Sequence, residues 1–286
     1  MKPRKEVTIG PYTIGDGHPV RIVAELGVNH LGDPQRMRDM IAAAVESGAD
    51  LLKFQTYQAD KRYDKTGNPK ADAFTENVRR WQFTREQEAE LWEYGQSLGA
   101  QIFTSPFDVE SVDFAQGLGS VAFKLAAFEI VNLELVRAVA RLGKPVVFSR
   151  GMATLEEVRR CVDILESEGA QPVILHTISS YPTLKTDSNL WMLHVLRERF
   201  DNPIGHSDHT RGTTIPPLAV AAGARMIEKH FTVNPKLRES DNPFSVTPNE
   251  LREIVFNVRQ TELYMGQEIA RVDAEDFMWD FRRVTD

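Results

Sequence analysis

The residues of this 286-residue chain that could do chemistry gather at the ends of short apolar runs. Glu25 lies in "RIVAELGV", Lys53 and Gln55 in "DLLKFQT", Lys124 in "VAFKLA" and Ser149 in "PVVFS". Ser207 ends "PIGHS", His209 follows it at once, and Glu228 and His230 share "RMIEKHF". Several charges buried without partners would be very costly, so these groups must pair with one another or with a charged ligand. The two histidines raise the further question of one shared metal. Their separation of 21 residues matches no local metal motif, so from spacing alone hydrogen-bonded structural histidines are the stronger reading. Glu25 with Lys53 can likewise be read as a structural ion pair or as part of a site.

The fold that must position them follows from periodicity. Eight β-rich runs, at 21–28, 50–56, 101–105, 121–126, 145–149, 172–177, 203–207 and 225–231, alternate with helical patterns near 34–47, 84–98, 108–117, 132–142, 154–168, 188–199, 214–222 and 248–264. Thr154 and Glu157 form a capping-box signature, and "SGAD", "SLGA", "RLGKP" and "AAGAR" mark the helix-to-strand turns. Eight βα units favour a closed (β/α)8 TIM barrel over a doubly wound sheet. Residues 1–20 read as an N-terminal β-hairpin extension, 21–265 as the barrel and 266–286 as an irregular acidic and aromatic tail. The stretch 57–83 reads as an overlong functional connection.

Strand parity sorts the polar residues. Glu25 shares a face with Val23, Lys53 with Leu51 and Gln55, Lys124 with Ala122, and Glu228 with Met226 and His230. Placed late in their strands and facing the lumen, they meet at the C-terminal mouth, where barrels bind ligands. Lys229 has the opposite parity and is expected to pair with an acid behind the sheet. His176 reads as a satisfied core histidine, His194 and Trp191 as packing residues, and His206 as structural or acceptor-facing, because its parity is opposite to that of Ser207.

Composition narrows the classes. With 34 Lys+Arg against 41 Asp+Glu, the net charge of −7 and the lack of a long basic cluster argue against nucleic acid or an anionic membrane as partner. No apolar run approaches a bilayer span, and the basic N-terminus lacks the apolar core of a signal peptide, so a cytoplasmic location is the default. The single Cys161 falls on the apolar face of a helical pattern and reads as a core residue.

Seven ordered motifs, "AELGVNHLGD", "ADLLKFQTY", "FKLAAFEIVNLEL", "GKPVVFSRGMATLEE", "LHTISSYPT", "GHSDHTRG" and "EKHFT", resemble the barrel domain of the sialic acid (nonulosonic acid) synthases over roughly residues 20–265. The resemblance implies a metal-dependent condensation of phosphoenolpyruvate with an open-chain hexosamine-like aldose, giving a 2-keto-3-deoxy sugar acid and phosphate by C–O cleavage. It implies that His209 and His230 bind a divalent metal, Mn²⁺ or Mg²⁺, with water and substrate oxygens completing the shell. It assigns Lys53, Lys124, Ser149 and Ser207 to phosphoenolpyruvate, and Glu25, Gln55, Tyr181 and Asp241 to positions facing the acceptor or metal. Glu228 is grouped with the substrate-binding residues, and Glu129 with the proton-transferring carboxylates.

The pattern also departs from the family. Members usually continue into an antifreeze-like domain that reaches across a domain-swapped dimer, whereas this sequence stops after a short tail. A homodimer is still expected, with the lid role falling to Arg150, Arg238, the 57–83 connection or a separate protein. Ala127 stands where the family has a serine, Arg150 where a small hydroxyl residue is usual, and Asn242 where histidine is common. These changes point to an acceptor other than N-acetylmannosamine. Two other readings stay open: a catalytically silent barrel that binds metal or phosphoenolpyruvate, and a Schiff-base aldolase using Lys124.

Overall fold

The computed structural model describes residues 5–62, 69–266, 272–279 and 281–282. Strands β1 (Val7–Ile9) and β2 (Tyr12–Ile14) form an antiparallel hairpin. The next eight strands are β3 (Arg21–Glu25), β4 (Leu51–Thr56), β5 (Gln101–Pro106), β6 (Phe123–Leu125), β7 (Pro145–Ser149), β8 (Gln171–His176), β9 (Ile204–Asp208) and β10 (Met226–His230). They close as a parallel barrel in the order β10-β3-β4-β5-β6-β7-β8-β9. The expected (β/α)8 TIM barrel is therefore the fold. Residues 1–4 and part of the tail lie outside the described residues; within the tail, Asp273–Glu275 and Asp276–Trp279 are short helical turns.

Helices Pro34–Glu46, Arg85–Ser97, Val109–Gly117, Leu133–Ala140, Leu155–Ser167, Trp191–Arg199, Ile215–Ala221 and Pro248–Met265 follow the barrel strands. Three begin with capping boxes, at Thr84–Gln87, the expected Thr154–Glu157, and Thr247–Glu250. The 57–83 connection is not irregular throughout, because it holds helices Ala59–Arg62 and Pro69–Trp81; residues 63–68 lie outside the described set. Trp191 and His194 differ from expectation too. Their rings lie 4.9 Å apart, tilted at 55°, on an exposed helix face, with Trp191 74% exposed, rather than in a packing layer.

Two apolar layers hold the barrel. The outward strand residues, such as Ile22, Phe54, Phe148 and Ile227, pack against the helices with Met40, Trp92 and Leu193. Inside, Val23, Leu51, Phe103, Val147, Val173 and Met226 fill the lower lumen, and Val7, Ile9 and Ile14 of the hairpin pack against them. The hairpin thus plugs the N-terminal end and removes its apolar area from water. What remains open is the opposite end, where the same inward faces turn polar. Among the described residues no helix is long and apolar enough to cross a membrane.

Candidate active site

Register brings the polar strand ends together. β3 pairs with β4 at Glu25↔Lys53 and with β10 at His230↔Glu25, while β9 pairs with β10 at Glu228↔Ser207. The mouth they form is a cavity of about 260 Å³. Its walls include Glu25, Lys53, Gln55, Lys124, Ser149, Tyr181, Ser207, His209, Glu228, His230 and Asp241, eleven of the twelve residues singled out from the sequence. A wider groove of about 660 Å³, between the helices that follow β6, β7 and β8, holds none of the strand-end residues.

On the cavity floor two lysines and two glutamates share one network. Lys53 Nζ lies 2.7 Å from Glu25 Oε2 and 3.9 Å from Glu228 Oε2, and donates to Ser105 Oγ at 3.1 Å. Lys124 Nζ donates to Ser149 Oγ at 2.8 Å and sits 3.7 Å from Glu228 Oε1, which accepts from Ser207 Oγ at 2.9 Å. Gln55 Nε2 donates to Glu25 Oε1 at 2.8 Å. Burial opposes every one of these charges, and the partners decide the outcome. It pushes the Lys124 ammonium down to about 8, with Glu228 acting in the opposite sense. For Lys53 burial is outweighed by Glu228 and Glu25, so its pKa rises; Glu228 falls because Lys124 and Lys53 outweigh burial. Glu25 moves up, since burial and then neighbouring Glu228 exceed what Lys53 restores.

The loop from β3 needs glycine. Gly27 has φ +52°, and a Cβ there would stand 3.1 Å from Glu25 Oε1 and 3.3 Å from Gln55 Nε2.

The two expected histidines stand close together at the mouth. Ring centroids of His209 and His230 are 5.4 Å apart, and the Tyr181 ring lies against His209 at 4.3 Å, tilted by 32°. His209 Nδ1 donates to the Ile178 carbonyl at 2.9 Å. A carbonyl only accepts, so Nδ1 carries the proton and Nε2 offers its lone pair. Burial pushes His209 down to about 4 and His230 well below its ordinary value, which leaves both imidazoles neutral, as ligation requires. Nδ1 of His230 is buried without a hydrogen-bond partner, 3.4 Å from Asp241 Oδ2. Asp241, a quarter exposed toward the mouth, is pushed up to about 7 by burial and then by Glu25. Among the described residues no three His, Cys, Asp or Glu side chains form a ready-made cage. This donor set fits a divalent ion held by two neutral imidazoles, with the rest of its shell left to water and substrate.

Glu129 is the expected residue that does not line the cavity. Its Oε2 accepts from Asn132 Nδ2 at 2.8 Å, beside the cap of helix Leu133–Ala140, and burial raises its pKa against the opposing effects of Asn132 and Arg62. Asn242, expected near the acceptor, is also turned away from the cavity, being buried among Thr232, Asn29 and Glu239. Arg150 donates to the Gly151 carbonyl and Arg238 is exposed, and neither is in the cavity wall; Ala127 is. Lys229 behaves as its parity required, 2.6 Å from Asp208 Oδ2.

Sequence reasoning missed Ser105, Thr177, Phe107, Phe128 and Arg62. Ser105 shares the face of Phe103, so parity applied to β5 would have found it. Arg62 carried no such signal. It comes from helix Ala59–Arg62, with Cζ 3.7 Å over the Phe107 ring and 4.8 Å from that of Tyr57.

The NeuB family model matches residues 40–270. The chain belongs to the NeuB family, the sialic acid synthase type. Over 86% of this chain and 73% of its own length, an N,N'-diacetyllegionaminic acid synthase from Legionella pneumophila is 36% identical. A pseudaminic acid synthase from Helicobacter pylori is 35% identical over 89% of this chain and 78% of its own. The crystal structure of N-acetylneuraminic acid (sialic acid) synthetase from Leptospira borgpetersenii superposes with a TM-score of 0.91 at 33% identity, covering 98% of this chain and 96% of the other.

Proposed function

We propose that this NeuB-family barrel condenses phosphoenolpyruvate with an open-chain amino-sugar aldehyde to give a nonulosonic acid and phosphate, with a divalent cation bound by His209 and His230. The observation that carries the reading is the floor network of Lys53, Lys124, Ser149 and Ser207 beside two neutral imidazoles. That network is balanced, two cations against two carboxylates. Phosphoenolpyruvate brings about three negative charges, a phosphate and a carboxylate, so it needs positive charge beyond the two lysines. A divalent cation at the mouth supplies it, and when bound it also polarises the acceptor's carbonyl oxygen.

The chain's own residues do the rest. Lys53 and Lys124 hold the phosphate and carboxylate, and the hydroxyls of Ser105, Ser149 and Ser207 fix their orientation. Glu25, with its raised pKa, can take a proton as the anion arrives and so release Lys53. Carbon 3 of the enol then attacks the aldehyde carbon, and the carbonyl oxygen takes a proton. We assign that proton to Asp241 rather than Glu129, because Asp241 lines the cavity and sits near half-protonation at neutral pH. Water adds at carbon 2, and the tetrahedral species expels phosphate by breaking its C–O bond, with the departing charge met by the lysines. Arg62, Phe107, Phe128 and Tyr181 form the outer wall that meets the acceptor. Exposed Met152, Tyr181 and Leu184 on the loops of the mouth offer apolar area that a second subunit or a separate lid would cover.

The test is phosphate release from phosphoenolpyruvate against a panel of N-acylated hexosamines, with Mn²⁺ and with EDTA, paired with detection of the 2-keto acid. Release that needs both substrates and metal supports the reading; none across the panel overturns it. A second reading, a Schiff-base aldolase, has one favouring observation, the depressed pKa of Lys124. Borohydride trapping of pyruvate on Lys124, with activity unaffected by EDTA, would replace the first reading with this one.

A further inference from the structure

We propose that His206 and His176 are positioning residues that hold the imidazole of His209 in its orientation through the 177–188 loop; only the purpose of that orientation rests on the proposed function. β8 and β9 pair at Ile174↔Ile204, Leu175↔Gly205 and His176↔His206. Beyond that point the chain leaves β8 for the loop that carries Ile178 and Tyr181 to the mouth. The alternation that turns Leu175 and Ser207 inward turns His176 and His206 outward, and both are buried.

Each outward histidine is committed to a backbone carbonyl. His206 Nδ1 lies 3.0 Å from the His176 carbonyl oxygen, and His176 Nε2 lies 2.9 Å from that of Ser188. Since carbonyls only accept, both nitrogens carry protons and both tautomers are fixed. His176 therefore fastens the loop at its two ends, its own carbonyl held by His206 and its ring holding Ser188. Asn189, next in the chain, turns through the left-handed region at φ +44°, which asparagine tolerates better than most non-glycine residues.

Within the fastened segment lie the contacts that aim His209. Ile178 accepts its Nδ1–H at 2.9 Å, the Thr183 amide donates to its carbonyl at 3.0 Å, and Tyr181 covers its ring. Packing alone does not account for the outward pair. Ile174 and Ile204 fill the same face with apolar side chains, whereas each buried imidazole leaves one nitrogen, Nδ1 of His176 and Nε2 of His206, without a hydrogen-bond partner among the described residues. An unmade buried hydrogen bond costs free energy that leucine would avoid, so the bonds these rings do make are what the position requires.

The experiment reads the tautomer of His209 in metal-free protein by NMR of ¹⁵N-histidine-labelled chain, with its signal assigned by loss in H209N. In parallel, calorimetry measures Mn²⁺ affinity. The wild type should show a protected Nδ1–H on His209. In His206→Leu that protection should be lost and the Mn²⁺ Kd should weaken roughly tenfold, the low end for contacts that orient a metal ligand, while His206→Asn, whose amide nitrogen replaces Nδ1, stays within about twofold. His176→Gln, whose amide replaces Nε2, should likewise retain both, and His176→Leu should lose both. A His206→Leu protein that melts lower yet keeps the protected Nδ1–H and the wild-type Kd would reduce the pair to packing and overturn the proposal. If that variant does not fold, His206→Met carries the same expectation. A wild type whose His209 exchanges freely between tautomers overturns it without any variant. A locked Nδ1–H in a wild type that binds no Mn²⁺ would instead sink the metal assignment and leave the positioning role standing.

Discussion

The barrel carries two sets of buried cationic and imidazole side chains, one facing into its mouth and one facing out. Inside are Lys53, Lys124, His209 and His230; outside are Lys229, His176 and His206. Burial is nearly equal, so burial does not separate a site from a structural cluster. Partner count does. Lys229 has a dedicated acid, Asp208, and the Thr210 carbonyl. Lys53 pairs with Glu25 at 2.7 Å, but Lys53 and Lys124 also share one acid, Glu228, at 3.9 and 3.7 Å, distances loose enough for an arriving anion to take over. On the outer face the buried ammonium has an acid to itself, whereas on the inner face two ammonium groups and two carboxylates share one network.

Substituting lysines on the two faces should break that contrast in opposite ways, and it gives the largest expected effects. Lys53→Met should lower kcat/KM for phosphoenolpyruvate by about 10²–10³-fold, the scale for losing a group that stabilises transition-state charge. Its denaturation midpoint should fall less than that of an outer-face lysine variant, because Glu25, which burial pushes up, can take a proton once Lys53 is gone. Lys229→Met should leave Asp208 buried without its counter-charge and cost about 3–5 kcal/mol in denaturant melts. Equal destabilisation by both would remove the distinction between the faces.

Much of this was legible from residue order. Eight β-rich runs alternating with helices dictated the barrel, and a period of two sorted Glu25, Lys53, Lys124, Glu228 and His230 inward and Lys229 outward before any contact was known. The closure of Asp208 on Lys229 followed the same rule. What parity could not supply were residues from loops, whose directions depend on tertiary contacts rather than on a repeat. Arg62 reaches the cavity from a short helix in the 57–83 connection, Asn242 turns into a knot with Thr232 and Asn29, and Glu129 stays beside Asn132. Trp191 misled for a related reason: an aromatic at helical spacing reads as core, yet this one stands at the start of its helix facing outward.

The outer face also holds a carboxyl with a pH signature. Glu88, on helix Arg85–Ser97, accepts from Thr56 Oγ1, which in turn bonds Thr104 Oγ1 at 2.8 Å, and burial pushes Glu88 up to about 7 from its ordinary 4.5. The folded state therefore holds this proton more tightly than the unfolded chain. Its contribution to stability is fully present below pH 4.5 and fades as pH rises toward 7, by an amount of order 1–3 kcal/mol. Comparing thermal melts of wild type and Glu88→Gln at pH 5 and pH 8 should show the variant gaining on the wild type as pH rises. A constant difference would mean that Glu88 is ionised throughout.

On the inner face, Arg62 and Ala127 test how far the cavity divides between its two substrates. Arg62→Ala should raise the acceptor KM roughly tenfold, as expected for losing a charge-assisted hydrogen bond, and leave the KM for phosphoenolpyruvate unchanged. The reverse split would move Arg62 to the other substrate.

Ala127 gives the smallest effect and the finest test. It lines the cavity, and the chain packs closely behind it, where a Cβ on Gly151 would stand 2.3 Å from its methyl. A hydroxyl added at residue 127 therefore has room only on the cavity side, next to the floor that Lys124 and Ser149 provide. If phosphoenolpyruvate lies there, Ala127→Ser adds one neutral hydrogen bond worth about 1 kcal/mol, and its KM should fall about fivefold while the acceptor KM holds. A fall in the acceptor KM alone would place the acceptor against Ala127 and invert the division of the cavity. Because the change adds an interaction to a folded site rather than removing one, a gain is harder to obtain by accident than a loss.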